Sequence, residues 1–331
     1  MNPPLSTRRT ALRCLLLGTA LGAHGALRAQ PAAVWPSKPL RLIVGFPAGS
    51  SPDLTARALA DPLAQALGQP VIVENRVGAG GNIGGDMVAK ATDGHTLGLM
   101  INGNLTIARL LNPAVRYDPL KDLAPVSLIG VAPLVLAASV GVQAADGRAF
   151  FAAARAAGNQ WSYGSPGVGT VGHLGMELLK SRAGIAPVHV PYPGYPQVAI
   201  AMAVGDLQLA LLPPALAVAQ IKAGKLRGIG VTSSGRSALA PDLPSLAEAG
   251  VRDFNLEIWN AVAVPVNMPR AHVNQLAAAV SAIVRAPPMR ACLFEQGWLA
   301  VGSAPEELAR RMQSDAQALG AIIRAQGITS R

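Results

Sequence analysis

From Leu40 onward the chain alternates short apolar runs with stretches of helical periodicity, and this alternation restricts the fold more than any other feature. Residues 40–46 and 71–74 read as strands, and Leu54, Leu59, Leu63 and Leu67 recur between them at helical spacing. A strand, a helix and a second strand in that order place the two strands parallel in one sheet, with the helix covering a face. The same order continues through residues 96–102, 161–164, 187–190, 207–212 and 226–231, which predicts mostly parallel pairing and a second sheet. Residues 125–137 and 254–265 are extended and apolar and bracket a block of about 120 residues, the size of a domain, so they are expected to be crossover strands. Residues 275–285 and 305–324 carry apolar side chains at helical spacing and are expected to pack back on the first domain. Gly68 suits a helix C-cap, whereas Pro62 predicts a kink or a broken first turn in the helix before it.

The N-terminus has another character. Arg8, Arg9 and Arg13 lead into a charge-free stretch of 13 residues from Cys14 to Ala26, and Ala29 offers a small residue for cleavage. This is the pattern of an export signal over residues 1–29, with the periplasm as destination. A Sec route and a twin-arginine route both stay open, because Arg8-Arg9-x-x-Leu12-Arg13 resembles the latter signal. The apolar stretch is shorter than the roughly 20 residues a spanning helix needs, and no later stretch is both long and unbroken enough. Cys14 leaves with the signal in this reading, so Cys292 stands alone and no intramolecular disulfide is expected.

Cleavage after Ala29 leaves 302 of the 331 residues, enough for two domains with separate cores. It removes four of the 28 basic residues and none of the 18 acidic ones, so the formal charge falls from +10 to +6. A positive field favours anionic ligands, and scattered surface charge accounts for the same surplus without one. The mature chain has no Lys/Arg-rich run and few aromatic residues, so nucleic acid is not expected as a partner.

Two loops carry the best case for a ligand. Phe46-Pro47-Ala48-Gly49-Ser50-Ser51-Pro52-Asp53 follows a strand and opens a helix, with Ser51 as candidate N-cap and Pro52 at the first helical position. Free amides and the helix dipole there suit an anion such as a carboxylate, and an ordinary capped turn explains the same residues. Gly164-Ser165-Pro166-Gly167-Val168-Gly169-Thr170 also leads from strand to helix, with Thr170 as N-cap and His173 in the first turn. His173 can hydrogen-bond a carboxylate or satisfy the helix terminus. Thr170 stands where a phosphate-binding loop carries Lys, so nucleotide hydrolysis is not supported. Asn102-Gly103-Asn104-Leu105-Thr106 follows another strand, and either lends donors to a cleft or simply turns the chain.

Chemistry-bearing constellations are scarce. Residues 77–86 hold five glycines, but Ile83 occupies the third glycine position of a dinucleotide-binding motif, so no nicotinamide cofactor is expected and close packing is the better role for them. His95, His173, His189 and His272 lack metal-ligand spacing, no G-x-S-x-G elbow occurs, and Glu74 beside Arg76 reads as a local ion pair. No catalytic residue, metal site or cofactor is assigned.

Taken together these segments resemble the Bug-type, or TctC-type, extracytoplasmic receptors of tripartite tricarboxylate transporters. The resemblance rests on Trp35-Pro36-Ser37-Lys38-Pro39 leading into Phe46-Pro47-Ala48-Gly49 with Asp53 and Arg57, and on Val73-Glu74-Asn75-Arg76 before Gly78-Ala79-Gly80-Gly81-Asn82-Ile83-Gly84. Asp93-Gly94-His95-Thr96-Leu97, Gly164-Ser165-Pro166-Gly167 through Thr170, His173 and Leu174, Val190-Pro191-Tyr192 with Gly194, and Gly224-Lys225-Leu226-Arg227 extend it over the mature chain. It implies an α/β type II periplasmic-binding-protein fold, in which two lobes joined by crossover strands close on a ligand held largely by main-chain donors and water. Lobe 1 is expected over residues 33–130 and 256–331, and lobe 2 over 131–255.

The resemblance carries Ala48, Gly49, Ser51, Asp53, Ser165, Gly169, Thr170 and His173 over as candidate contacts, with Phe46, Ser50, Asn104 and Tyr192 as additions. Ser50 replaces the second glycine usual in the family, which adds a hydroxyl and removes backbone freedom; Pro193 stands where Lys is common, which removes a charge. The implied function is capture of a small carboxylate (a dicarboxylate, an amino acid or an aromatic acid) by a monomeric, non-enzymatic protein that delivers it to membrane permease subunits. A sensor subunit feeding a signalling receptor and a secreted hydrolase are the competing readings.

Overall fold

A computed structural model describes residues 35–328, so the export signal and Cys14 lie outside the described residues. Two separate mixed sheets organise the chain. The strands of the first are β1 (Leu40–Val44), β2 (Val71–Asn75), β3 (Thr96–Ile101), β4 (Leu123–Pro133), β10 (Glu257–Pro265) and β11 (Leu299–Ala300), in the spatial order β11-β4-β10-β3-β1-β2. The second contains β5 (Val135–Ser139), β6 (Ser162–Ser165), β7 (Val188–Pro191), β8 (Leu209–Leu212) and β9 (Leu226–Val231), in the order β7-β6-β8-β5-β9.

Only the strands linked through helices pair in parallel, as β1 does with β2 and β3, and β6 with β7 and β8. The crossover strands run against their neighbours: β10 is antiparallel to β3 and β4, and β5 to β8 and β9. The expectation of mostly parallel pairing is therefore corrected. A strand that carries the chain out of one sheet and one that brings it back point in opposite directions, and their mutual hydrogen bonds impose antiparallel pairing. The expected extended run over 125–137 is likewise two strands, one in each sheet, meeting at Leu134.

Each sheet has its own apolar core. Ile43, Met100, Tyr117 and Trp259 pack with Leu308 and Met312 of the helix Pro305–Gln326, so the C-terminal helix closes the first sheet. Val135, Val198, Met202, Leu212, Leu226 and Val231 form the other. Fully burying such a side chain contributes about 1.5–3 kcal/mol, which lets each half stabilise itself. The helix Ser51–Leu67 runs unbroken through Pro62 and ends at Gly68 in the left-handed conformation; of the kink or broken turn expected there, the break does not occur. Pro62 forgoes one ladder bond, while buried Leu59 and Leu63 hold the helix against the sheet on either side of it.

The junction between sheets is stitched by Thr232. Its N–H donates to Leu134 O at 2.8 Å and its hydroxyl to Leu256 O at 2.6 Å, while Leu134 N–H donates to Thr232 Oγ1 at 2.7 Å. Among the described residues no single helix is long and apolar enough to cross a membrane.

Candidate functional site

The first loop leaves β1 and enters the helix Ser51–Leu67 at the carboxyl edge of the sheet. Its N-cap is Ser50, one residue before the expected Ser51, and the Ser50 side chain makes no capping bond. The cap is supplied from behind. The Asp53 carboxylate accepts from Gly49 N–H at 2.8 Å, Arg57 Nε at 3.0 Å and Asn75 Nδ2 at 2.8 Å, and Asn75 Nδ2 also donates to Phe46 O at 2.9 Å. Burial pushes the Asp53 carboxyl up, but the donors from Arg57, Asn75 and Gly49 outweigh it and hold the group below its ordinary value. Asp53, expected as a contact, thus has its oxygens committed on the far side of the turn and positions the loop. Ser50 and Ser51 are left with hydroxyls that meet no partner among the described residues. The amides of Ser51 and Asp53, in the first helical turn, have no intrahelical acceptor.

The second loop is braced differently. Thr170 is the N-cap of the helix Val171–Ala183; its hydroxyl donates to Gly167 O at 2.8 Å and accepts from His173 N–H at 3.5 Å. Gly169 N–H donates to His173 Nδ1 at 3.3 Å, which places the His173 ring under the loop as its organiser. Behind it the His189 ring lies 4.3 Å from His173 and 4.8 Å from Tyr163, and His189 Nε2 is hydrogen-bonded to Ser165 Oγ at 2.7 Å. Burial lowers both imidazoles; for His189 it acts with the facing His173 ring to bring the group down to about 4. The Ser165–His189 pair has the makings of a nucleophile and base, yet Ser165 is fully buried and shares its hydroxyl with the Gly167 backbone. No carboxylate bonds His189 among the described residues. The pair therefore tethers the loop.

The two loops meet across a cleft with two chambers. Phe46, Ser50, Ser51 and Pro52 from the first loop and Pro166, Thr170 and Val171 from the second wall an inner chamber of about 40 Å³, completed by Asn102, Tyr195, Pro213, Trp259 and Trp298. An outer chamber of about 490 Å³ is walled by Gly78–Asn82, Asn104, Ile107, Leu111, Gly167–Gly169 and Tyr192. Asn104 Nδ2 donates to Gly80 O at 2.9 Å and to Asn82 Oδ1 at 2.8 Å, which holds the glycine-rich segment in place. The walls touch where only glycine fits. A Cβ on Gly80 would lie 3.0 Å from Val168 O, and one on Gly103 would lie 2.7 Å from Gly169 O, each on the opposite side of the cleft.

Seven of the twelve candidates line a chamber: Phe46, Ser50, Ser51 and Thr170 the inner one, Asn104, Gly169 and Tyr192 the outer. Ala48 and Gly49 sit exposed at the tip of the first loop, and Asp53, Ser165 and His173 stand behind the two loops. Sequence reasoning missed Tyr195, Pro213, Trp259 and Trp298, which reach the inner chamber from distant segments. It also missed Asn75, whose role was hinted at only by its place at the end of β2 beside the loop of β1.

Two sheets joined by paired crossover strands, with two helix starts facing one cleft, define a two-lobed solute-binding protein of the type II periplasmic fold. The chain belongs to the tripartite tricarboxylate transporter receptor family, whose model matches residues 55–328. It is 35% identical over 252 residues to BugT of Bordetella pertussis, covering 76% of this chain and 77% of that protein. A Rhodopseudomonas palustris protein solved with adipate superposes with a TM-score of 0.85 at 29% identity, covering 89% of this chain and 99% of the other. The periplasmic binding protein BugD superposes with a TM-score of 0.84 at 26% identity, covering 90% and 100%.

Proposed function

We propose that this protein is a periplasmic receptor that captures a small carboxylate between its lobes and hands it to the permease subunits of a tripartite transporter without turnover. The supporting observation is the inner chamber, where two buried serine hydroxyls without partners and two helix starts from opposite sides of the cleft converge. A carboxylate there gains charge-assisted hydrogen bonds from hydroxyls and amides that otherwise stay unpaired, and it lies at the positive ends of both helix dipoles. The adipate bound by the R. palustris relative is a carboxylate of suitable size for the adjoining chambers.

Capture works by closure. The first sheet, through β4 and β10, belongs to one lobe and the second sheet to the other, and the lobes turn about Leu134 and the Thr232 to Leu256 segment; a ligand touching both loops stabilises the closed arrangement by its differential affinity for it. The twelve candidates divide into those that meet the ligand and those, such as Asp53 and His173, that hold the loops in shape. Calorimetry of the monomeric protein against dicarboxylates, amino acids and aromatic acids, with small-angle scattering in parallel, tests the reading. Micromolar binding of one class with a smaller radius is expected; silence of every carboxylate at constant radius overturns it.

A further inference from the structure

The helix Tyr195–Val204 departs from the pattern of a surface helix with one polar side. Its inner face packs Val198, Ala201 and Met202 into the core of the second sheet, yet its outer face is apolar as well, and none of its residues is charged. Ile200 and Val204 are 65% and 69% exposed, more than any other large apolar side chain among the described residues. With Ala199 and Ala203 they form a stripe at helical spacing along one wall of a groove of about 570 Å³, and Leu216 of the helix Pro214–Lys222 stands on the other wall. A contiguous apolar stripe left in water marks a contact surface.

Shape and charge narrow the occupant. A small-molecule site encloses its ligand, whereas Ile200 and Val204 protrude. From Pro196, which begins the stripe, to Val204 the helix rises about 12 Å, and a groove between two helices accepts the side-chain ridge of a third. Lys225 lines the groove, Lys222 closes the second helix three residues earlier, and no acidic residue is in the lining; Asp206, just past the first helix, lies outside it. The lysine ion pairs among the described residues are those of Lys90, Lys121 and Lys180, so Lys222 and Lys225 keep their charge unpaired. A second copy meeting this face with its own would bring the same cations to the interface. A lipid surface does not fill a groove, and it recruits proteins through basic clusters larger than two lysines.

We propose that this groove docks an acidic amphipathic helix of a protein partner, with bulky aliphatic side chains at helical spacing packed over Ile200 and Val204 and a carboxylate paired with Lys225. The docking helix also reaches the ligand site, because its first residue, Tyr195, walls the inner chamber. A partner seated on it thus holds an element that touches the cleft.

Fluorescence anisotropy tests this with helix-stapled peptides added to the purified protein: one with leucines at i, i+3, i+4 and i+7 flanked by glutamates, a second with lysines for the glutamates, and a third with serines for the leucines. The acidic peptide is expected to bind at least tenfold more tightly than either of the others. Ile200→Asp should weaken it tenfold or more, and Lys225→Glu should pass the preference to the basic peptide. Both positions are exposed, so thermal unfolding of the variants should match the parent; should Ile200→Asp fail to fold, Val204→Ser takes its place with the same expected loss. Failure of the acidic peptide to bind, equal binding of the acidic and basic peptides, or binding that neither substitution alters overturns the proposal. A dimer in sedimentation that Ile200→Asp dissociates would give the face to a second copy, and flotation with phosphatidylglycerol vesicles that the same variant abolishes would give it to a membrane; either result overturns the proposal too. All of these outcomes leave carboxylate capture in the cleft untouched, since calorimetry and scattering test that reading separately.

Discussion

The two loops that face each other across the cleft start helices in the same way and are finished in opposite ways. In the second loop every polar side chain is occupied: Thr170 with Gly167 and His173, His173 with Gly169, Ser165 with Gly167 and His189. In the first, the anchor is a single carboxylate behind the turn, and the two serines that face the cleft are left unpaired. Unpaired buried hydroxyls are costly, so a chain that keeps them invests stability in recognition. The second loop offers shape and main-chain donors; the first offers side chains. Substitutions should accordingly separate stability from binding on one side of the cleft and mix them on the other.

The largest effect is expected at Asp53. Its carboxylate holds Gly49, Arg57 and Asn75 at once, so Asp53→Ala leaves the Gly49 amide without its acceptor and Asn75 Nδ2 with Phe46 O alone. A loss of about 3 kcal/mol in urea unfolding is expected, together with loss of carboxylate binding, because the Phe46 to Ser51 turn loses its anchor. A variant as stable as the parent would mean that the turn holds itself.

Ser50→Ala and Ser51→Ala should do the reverse. Each removes one buried hydroxyl that has no partner in the unliganded chain, so unfolding free energy does not fall and rises by up to about 1 kcal/mol, while affinity for a carboxylate falls about tenfold, equivalent to about 1.4 kcal/mol. Calorimetry beside chemical denaturation reads both quantities. Equal losses in the two would erase the contrast between the loops.

Much of this was legible in the residues. The helical and strand periodicities located both loops because each loop is local, running from the end of a strand to a helix start in eight or fewer residues. The cap at Thr170 is as expected, and the charged residue closing β2 does pair locally: Glu74 meets Arg76 at 2.7 Å and also Arg41 at 2.6 Å. What the sequence concealed is whatever arrives from far along the chain. Trp298 and Asn75 reach the site through sheet order, and His189 reaches His173 because β7 lies beside β6, a pairing that no local pattern announces. Antiparallel crossover pairing was hidden for the same reason, since apolar runs fix the existence of a strand and leave its direction to topology. Ser50 displaced Ser51 as the N-cap because both residues suit the position, and the anchor at Asp53 decides between them.

On the second loop, Thr170→Val keeps the shape and removes both bonds of the cap hydroxyl. A stability loss of about 1 kcal/mol is expected, with a fall in affinity that follows the disturbed Gly167 to Thr170 geometry. Stability and binding should move together here, and a variant that lost affinity alone would show Thr170 acting on the ligand as Ser50 does.

The smallest effect comes from mild acid, and it distinguishes the loops by the pH at which each loosens. His189 has a folded-state value of about 4 against an ordinary 6.5, the work of burial first and of the facing His173 second. The unfolded chain therefore takes up this proton before the folded one does. Stability is full above pH 6.5 and declines as pH falls toward 4, below which both states are protonated and the His189 contribution to the slope vanishes. Asp53 works in the other direction: its value lies below the ordinary 3.8, so the stabilisation it gives is complete above that pH and is lost only as pH drops further. Between pH 6.5 and 5.5 the second loop should thus weaken by about 0.5–1 kcal/mol, discounted for the partial exposure of His189, while the anchor of the first stays intact. Amide hydrogen exchange at Gly169 and Gly49 across that range reads the two loops separately. Faster opening at Gly169 with unchanged protection at Gly49, abolished by His189→Gln, is the expected outcome; parallel loosening of both amides would show that the loops share one support.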